Sequence, residues 1–192
     1  MLGKLFVISG PSGSGKTTLS NELIEIFQNI SLKRVVTYTT KVPRVNEIDG
    51  IDYHFLSKEE FIKKIEQGFF LEYSQSYLAY YGFPNYIVKA LKNGQSYIVI
   101  LDRAGAKSIK HKIEDAILIW LEPKSIEELR KRLMFRAQDS IESINYRLGL
   151  AKKEMEMELL EPIFDYKFIN DNLDETLLSL QELFNKYLNV YK

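Results

Sequence analysis

Short apolar runs alternate with amphipathic stretches along the whole chain. Leu5-Phe6-Val7-Ile8 is unbroken and of strand length, whereas the apolar residues at 19, 23, 26 and 27 fall on one helical face. Polar residues 37–50, with Pro43 and the turn pair Asp49-Gly50, form a loop before a short strand at 51–56. Ser57 and Glu60 make a capping box for a helix over 58–67, which Gly68 ends. Residues 69–73 and 77–83 are strand-like, the second run closed by Pro84, and 86–93 is helical up to Gly94. Residues 96–101 and 116–121 are continuous apolar runs, the pattern of buried parallel strands. Ser125 with Glu128 starts a helix to about residue 136, and Asp139 or Ser140 starts a long one to about 161. A strand at 166–169 and an amphipathic helix over 173–187 complete the order, with a further short strand at 34–36.

The alternation predicts an α/β fold with a parallel central sheet. The core takes 1–36 and 85–192, with a helical lid at about 133–146. Residues 37–84 are an inserted, small mixed lobe.

Between the first strand and the first helix lies Gly10-Pro11-Ser12-Gly13-Ser14-Gly15-Lys16-Thr17. This G-x-x-x-x-G-K-[ST] motif, in strand–turn–helix context, is a phosphate loop. Its glycines let backbone N–H groups converge on an anion, and the helix adds unpaired donors and its positive dipole end. Lys16 reaches the β- and γ-phosphates, and Thr17 offers a hydroxyl to Mg²⁺. Thr18 extends the ATP-binding set.

Net charge narrows the class. Lys plus Arg and Asp plus Glu number 26 each, so no overall basic field exists for nucleic acid or an anionic membrane. The chain has no cysteine, which excludes thiol catalysis and disulfides. No apolar run approaches the roughly 20 residues of a membrane span. With no signal-peptide pattern ahead of the first strand, a cytoplasmic location is expected.

Other candidates surround the loop. Asp102 ends a central strand, where ligands bind in open α/β sheets, and a carboxylate there can hold Mg²⁺ directly or through water; its alternative is an ordinary loop Asp. Arg103 beside it is a further candidate cation. Arg132 and Arg136 share a helical face, and Arg147 lies eleven residues on, across a break near Gln138. Such arginines on a lid suit a transferring phosphoryl group; their alternative is a solvated face paired with Glu127, Glu128 and Glu142. Lys41 and Arg44, with Tyr53, Tyr80 and Tyr81, form a candidate second phosphate site. Glu72 is an acid among cations and phenols. An ionised carboxylate can accept two parallel hydrogen bonds from an edge that shows only donors, as guanine does with N1–H and the 2-amino group and adenine does not; the alternative is a solvated strand Glu. His54, His111, Met155 and Met157 lack ligand or stripe spacing, and Trp120 reads as core.

Taken together, these motifs resemble the guanylate kinase family nearly end to end. The resemblance rests on the phosphate loop, Tyr38-Thr39-Thr40-Lys41-Val42-Pro43-Arg44 with Glu47, Asp49-Gly50 and Asp52-Tyr53-His54-Phe55. It continues through Phe70-Leu71-Glu72-Tyr73, Tyr80-Tyr81-Gly82, Leu101-Asp102 with Gly105, Arg132-Leu133 with Arg136 and Asp139, Arg147-Leu148 and Asn170-Asp171.

It implies a P-loop NTPase three-layer fold with a nucleoside-monophosphate lobe, and Mg²⁺-dependent transfer of the ATP γ-phosphoryl to GMP. The implied roles are ATP phosphates for Lys16 and the loop, with Asn170 near adenine. Arg44, Tyr53 and Tyr81 hold the GMP phosphate. Glu72 reads guanine, and Thr37, Lys41, Glu47 and Asp102 complete the GMP side. Arg132, Arg136 and Arg147 stabilise the transferring group. The implied partners are small nucleotides, and the implied state is a monomer or homodimer.

The chain departs from the family pattern at several positions. Lys41 replaces an Arg, Thr37 a Ser, and Phe83 a small hydroxyl residue after Tyr-Tyr-Gly. Ile100 and Ala104 stand where an acid and a Gln are usual, and Ala137 where Gly is. Two other readings therefore stand beside the first. One is a related kinase with another phosphorylated acceptor. The other is a guanylate kinase-like module that binds a phosphorylated side chain without transfer.

Overall fold

The structure is a computed structural model and describes residues 2–30, 32–45, 47–76, 79–135 and 140–188. Its elements are β1 (Leu5–Ser9), α1 (Lys16–Ile26), β2 (Lys33–Arg34), β3 (Tyr38–Thr39), β4 (His54–Phe55), α2 (Lys58–Glu66), β5 (Phe70–Ser76), β6 (Ala79–Pro84), α3 (Tyr86–Lys92), β7 (Tyr97–Ile100), α4 (Arg103–Lys112), β8 (Ile117–Glu122), α5 (Ile126–Phe135), α6 (Ile141–Leu160), β9 (Tyr166–Ile169) and α7 (Leu173–Leu188), with a 3₁₀ turn at Gln28–Ile30.

Five strands form a parallel sheet in the order β2-β7-β1-β8-β9, with β1 at its centre. All five residues of β1 and all six of β8 are buried, which explains why both read as unbroken apolar runs. One layer of core packs Phe6, Ile8, Leu19, Leu23 and Phe184 together; Phe6 stacks on Phe184 at 3.8 Å. The opposite layer joins Leu5, Val7, Val35, Ile87, Val99 and Ile109. Parallel strands with helices on both faces leave the strand carboxyl ends as the open edge.

A second sheet, β4-β3-β6-β5, is mixed: β3 and β4 run parallel, while β3–β6 and β5–β6 are antiparallel. Helix α2 covers it, entered through the expected capping box of Ser57 and Glu60. Phe61 of that helix stacks on Phe70 at 4.5 Å and on Tyr80 at 5.4 Å.

Helix α4 was not expected from the sequence. Asp102 starts it, accepting a hydrogen bond from the Gly105 amide at 2.7 Å. Arg103 then turns away from the strand edge. It is buried, and its Nε donates to Glu158 at 3.3 Å while Nη2 reaches the Glu161 carbonyl. Glu158 also accepts from the Ile163 amide at 3.1 Å. The expectation of a cation beside Asp102 is thereby corrected. Arg103 fastens the end of α6 to the start of α4, because a guanidinium buried there needs an ionic partner.

Candidate active site

The open edge of the main sheet and one face of the second sheet meet around a cavity of about 260 Å³. Its walls bring together Gly10, Ser12, Gly13, Gly15, Lys16 and Thr17 from the loop with Thr37, Arg44, Tyr53, Glu72, Ser74 and Tyr81 from the second sheet and its loops. Ile100, Leu101, Asp102 and Gly105 of the central edge, and Glu154 of α6, also line it.

Backbone geometry makes the cup. Gly10 has φ 143° and Gly15 φ 94°. A Cβ on Gly10 would stand 1.9 Å from the Leu121 carbonyl oxygen, and one on Gly15 2.3 Å from Asn170 Nδ2. Glycine is required at both positions by space as well as by φ. Lys16 Nζ donates to the carbonyls of Gly10 (2.7 Å) and Pro11 (2.8 Å), which holds it over the cup. Ser14 is buried and its carbonyl accepts from Asn170 Nδ2 at 2.8 Å. Asn170, expected near adenine, thus braces the loop from behind, and its buried Oδ1 has no hydrogen-bond partner among the described residues. Pro11 is buried and Thr18 exposed; neither lines the cavity.

On the second sheet, strand alternation decides which side chains face the cup. Tyr81 faces Ser74 across β5–β6, and Glu72 faces Phe83, so these four share a face. Tyr80 points the other way, against Phe61, and the expectation of a phosphate contact for it is corrected. The rings of Tyr53 and Tyr81 stand edge to face, 6.2 Å apart. Burial pushes the Tyr53 hydroxyl up to about 12, with Tyr81 adding to it, and burial raises Tyr81 as well. Both are therefore neutral donors at working pH, suited to an anion.

Glu72 is buried at 6% exposure, and burial first, then Asp102, pushes its carboxyl up to about 7, against the opposing charge of Lys112. Phe83 is fully buried among Val7, Val35 and Ile87, so its ring leaves the cavity open.

Other expected residues are placed differently. Lys41 and Glu47 form an ion pair with each other, and Lys41 lies 4.5 Å over the Tyr53 ring. Burial pushes the Glu47 carboxyl up, but the Arg44 amide (2.9 Å) and Lys41 outweigh it and hold it below its ordinary value. Neither residue lines the cavity. They brace the loop that carries Arg44, which does. Arg132 also lies outside, donating to the Asn170 carbonyl at 2.8 Å and pairing with Glu128 at 3.3 Å. Arg147, on α6, does not line the cavity. Arg136 and Asp139 lie outside the described residues.

Sequence reasoning missed Glu154. Burial raises its carboxyl, Lys16 opposes this, and Asp102 adds to it. It sits three residues beyond Ala151, on the side of α6 that also buries Leu148 and Glu158. An acid near an otherwise buried stripe was the available signal.

For a magnesium ion, the Thr17 hydroxyl and the Asp102 carboxylate are hard oxygen donors that line the same cavity. One Asp102 oxygen is used by the Gly105 amide and the other is left for the ion. No group of three or more His, Cys, Asp or Glu suited to a metal occurs among the described residues. That sparse set fits Mg²⁺ bound mainly through phosphates and water.

Comparison with known proteins agrees with the geometry. The sequence model of the guanylate kinase family matches residues 2–187. The guanylate kinase of Clostridium perfringens is 38% identical over 182 residues, covering 94% of this chain and 82% of that protein. The guanylate kinase of Synechococcus sp. is 40% identical over the same length, with 94% and 82% covered. The crystal structure of guanylate kinase from Anaplasma phagocytophilum superposes with TM-score 0.78 at 25% identity, covering 97% of this chain and 87% of that one. A phosphate cup facing a carboxylate- and tyrosine-lined wall, with relatives of this identity over nearly the whole length, makes this chain a member of the guanylate kinase family.

Proposed function

We propose that the chain transfers the γ-phosphoryl group of ATP to GMP, giving ADP and GDP. The observation that carries the reading is the shared cavity: the cup and the Arg44–Tyr53–Tyr81–Glu72 wall line one space. A triphosphate end and a monophosphate held there would meet without an intervening protein group.

Lys16 and the loop amides hold the ATP phosphates. Arg44 and the neutral hydroxyls of Tyr53 and Tyr81 hold the acceptor phosphate. Glu72 in its ionised form accepts from guanine N1–H and the 2-amino group, an edge adenine does not offer. Mg²⁺, held by Thr17, Asp102 and the phosphates, would supply neutralisation of charge on the triphosphate. An oxygen of the GMP phosphate attacks the γ-phosphorus as the bond to the β–γ bridging oxygen breaks, and ADP leaves with that electron pair. Positioning and charge supply the catalysis.

In this reading Arg132 and Arg147 reach the transferring group when α5 and α6 close on the bound nucleotides, Arg132 exchanging its contacts with Glu128 and the Asn170 carbonyl for phosphate oxygens. Arg136 acts with them. No helix among the described residues is long and apolar enough to cross a membrane. A cytoplasmic location goes with the reading, since both nucleotides are held there. The complete phosphate loop weighs against a module that only binds phosphopeptides, which has no need of Lys16 and Thr17.

A coupled ADP-release assay with GMP, dGMP, IMP, AMP, CMP and UMP tests the reading. GMP and dGMP are expected to turn over at least about 100-fold better than AMP, CMP or UMP in kcat/KM, because a buried carboxylate left unpaired rejects the wrong base. Turnover of none of them, or a faster acceptor other than a guanine nucleotide, would overturn it.

A further inference from the structure

We propose that Ser74 is a further specificity-determining residue of the acceptor site. Its hydroxyl supplies from β5 a hydrogen-bonding group that Phe83, opposite Glu72 on β6, does not. The inference rests on GMP being the acceptor.

The register decides the geometry. Glu72 pairs with Phe83 and Ser74 with Tyr81. Residues directly opposite share a face, so all four side chains start on the cavity side of the sheet. Phe83 then goes into the core, fully buried against Val7, Val35 and Ile87. It brings no polar group to the acceptor and does not block it. A pocket built around the Glu72 carboxylate thus has no polar side chain from the residue opposite it on β6.

Ser74 stands two residues beyond Glu72 on the same strand and the same face, about 7 Å along it. It lines the cavity together with Thr37, Glu72, Tyr81 and Gly82. It is half-buried, and among the described residues no hydrogen bond to protein occupies its hydroxyl. Of the central-edge residues that line the same cavity, Ile100 and Leu101 are aliphatic, and Asp102 is committed to the Gly105 amide and the candidate magnesium site. A hydroxyl in such a wall both donates and accepts, and between the base-reading carboxylate and the phosphate-holding tyrosine it faces the nucleotide.

Steady-state kinetics of Ser74→Ala, Ser74→Val and Ser74→Thr test the assignment. Ser74→Ala and Ser74→Val are expected to raise KM for GMP about five- to thirtyfold, the scale of one lost buried hydrogen bond, with kcat within about twofold. Ser74→Thr, which keeps the hydroxyl, stays near the parent value, although Val matches its shape. The dissociation constant for ATP and the melting temperature are unchanged in all three, which a merely structural role would not give. GMP turnover by the parent with an unchanged KM in Ser74→Ala and Ser74→Val would overturn this inference alone. Absence of GMP turnover by the parent would overturn both it and the acceptor reading.

Discussion

Lys16→Met is expected to lower kcat by about 10²–10³-fold while the protein stays folded. The ammonium sits over the cup, tied to the carbonyls of Gly10 and Pro11 at 2.7 and 2.8 Å, and is not part of the core. Its removal leaves the strand, loop and helix intact but takes away the one loop cation that follows the β- and γ-phosphates as charge builds between them. The loss should fall mainly on kcat, because the loop amides and α1 still bind the triphosphate. Single-turnover phosphoryl transfer at saturating nucleotides reads the effect. Glu154 adds a second readout. Lys16 opposes the upward push of burial on that carboxyl, so its titration should move further up in Lys16→Met. A variant with normal single-turnover rates would mean that the cup is not the donor site.

Glu72→Gln is expected to raise KM for GMP by about 10²-fold and to narrow the preference for guanine over adenine. Two hydrogen bonds from neutral donors to one carboxylate are charge-assisted, each worth about 1.5–3 kcal/mol. An amide can accept with its oxygen but turns an N–H₂ group toward the base's own donors. The parent enzyme should also show a stronger pH dependence than the variant. Because the free carboxyl is pushed up to about 7, the base-reading form is scarce at pH 6 and predominant at pH 8. Over that interval KM for GMP should fall roughly tenfold more in the parent than in Glu72→Gln, in which only the GMP phosphate, with its second pKa of about 6, still titrates.

The same group gives a stability effect of opposite sign. Glu72 in the folded chain holds its proton to higher pH than in the unfolded chain. Its contribution is thus most favourable below the unfolded value of about 4.5 and is lost as pH rises to about 7. Glu72→Gln should accordingly be more stable than the parent by about 1–3 kcal/mol at pH 8 and about equal to it at pH 4, measured by urea unfolding without nucleotide. A buried carboxylate kept at a cost to stability is the pattern of a site selected for binding.

Elements whose pattern is local were legible in the sequence. The phosphate loop combines a fixed spacing with an apolar strand before it and an amphipathic helix after it, and each part constrains the others. The capping box of α2 and the strand Tyr166–Ile169 were equally plain. Helix α4 was not legible, because only Gly105, Ala106 and Ile109 join Arg103 on its buried side and three basic residues crowd its last turn. Missing it left Arg103 looking like a site cation, when its partners, Glu158 and Glu161, are 55 and 58 residues away at the end of α6. Pairing of Lys41 with Glu47 depends on a loop path that no periodicity encodes. The split between Tyr80 and Tyr81, in contrast, follows from strand alternation and could have been read directly. Ser74 shares that signal, two residues from Glu72.

The central claim is that one cavity holds both nucleotides end to end. Calorimetric titration with adenosine and guanosine joined 5′ to 5′ through five phosphates tests it most directly. The account predicts one molecule bound per chain, tighter than ATP or GMP alone, and abolished by prior saturation with either. Binding that displaces ATP yet leaves GMP affinity untouched would mean that the two sites are separate.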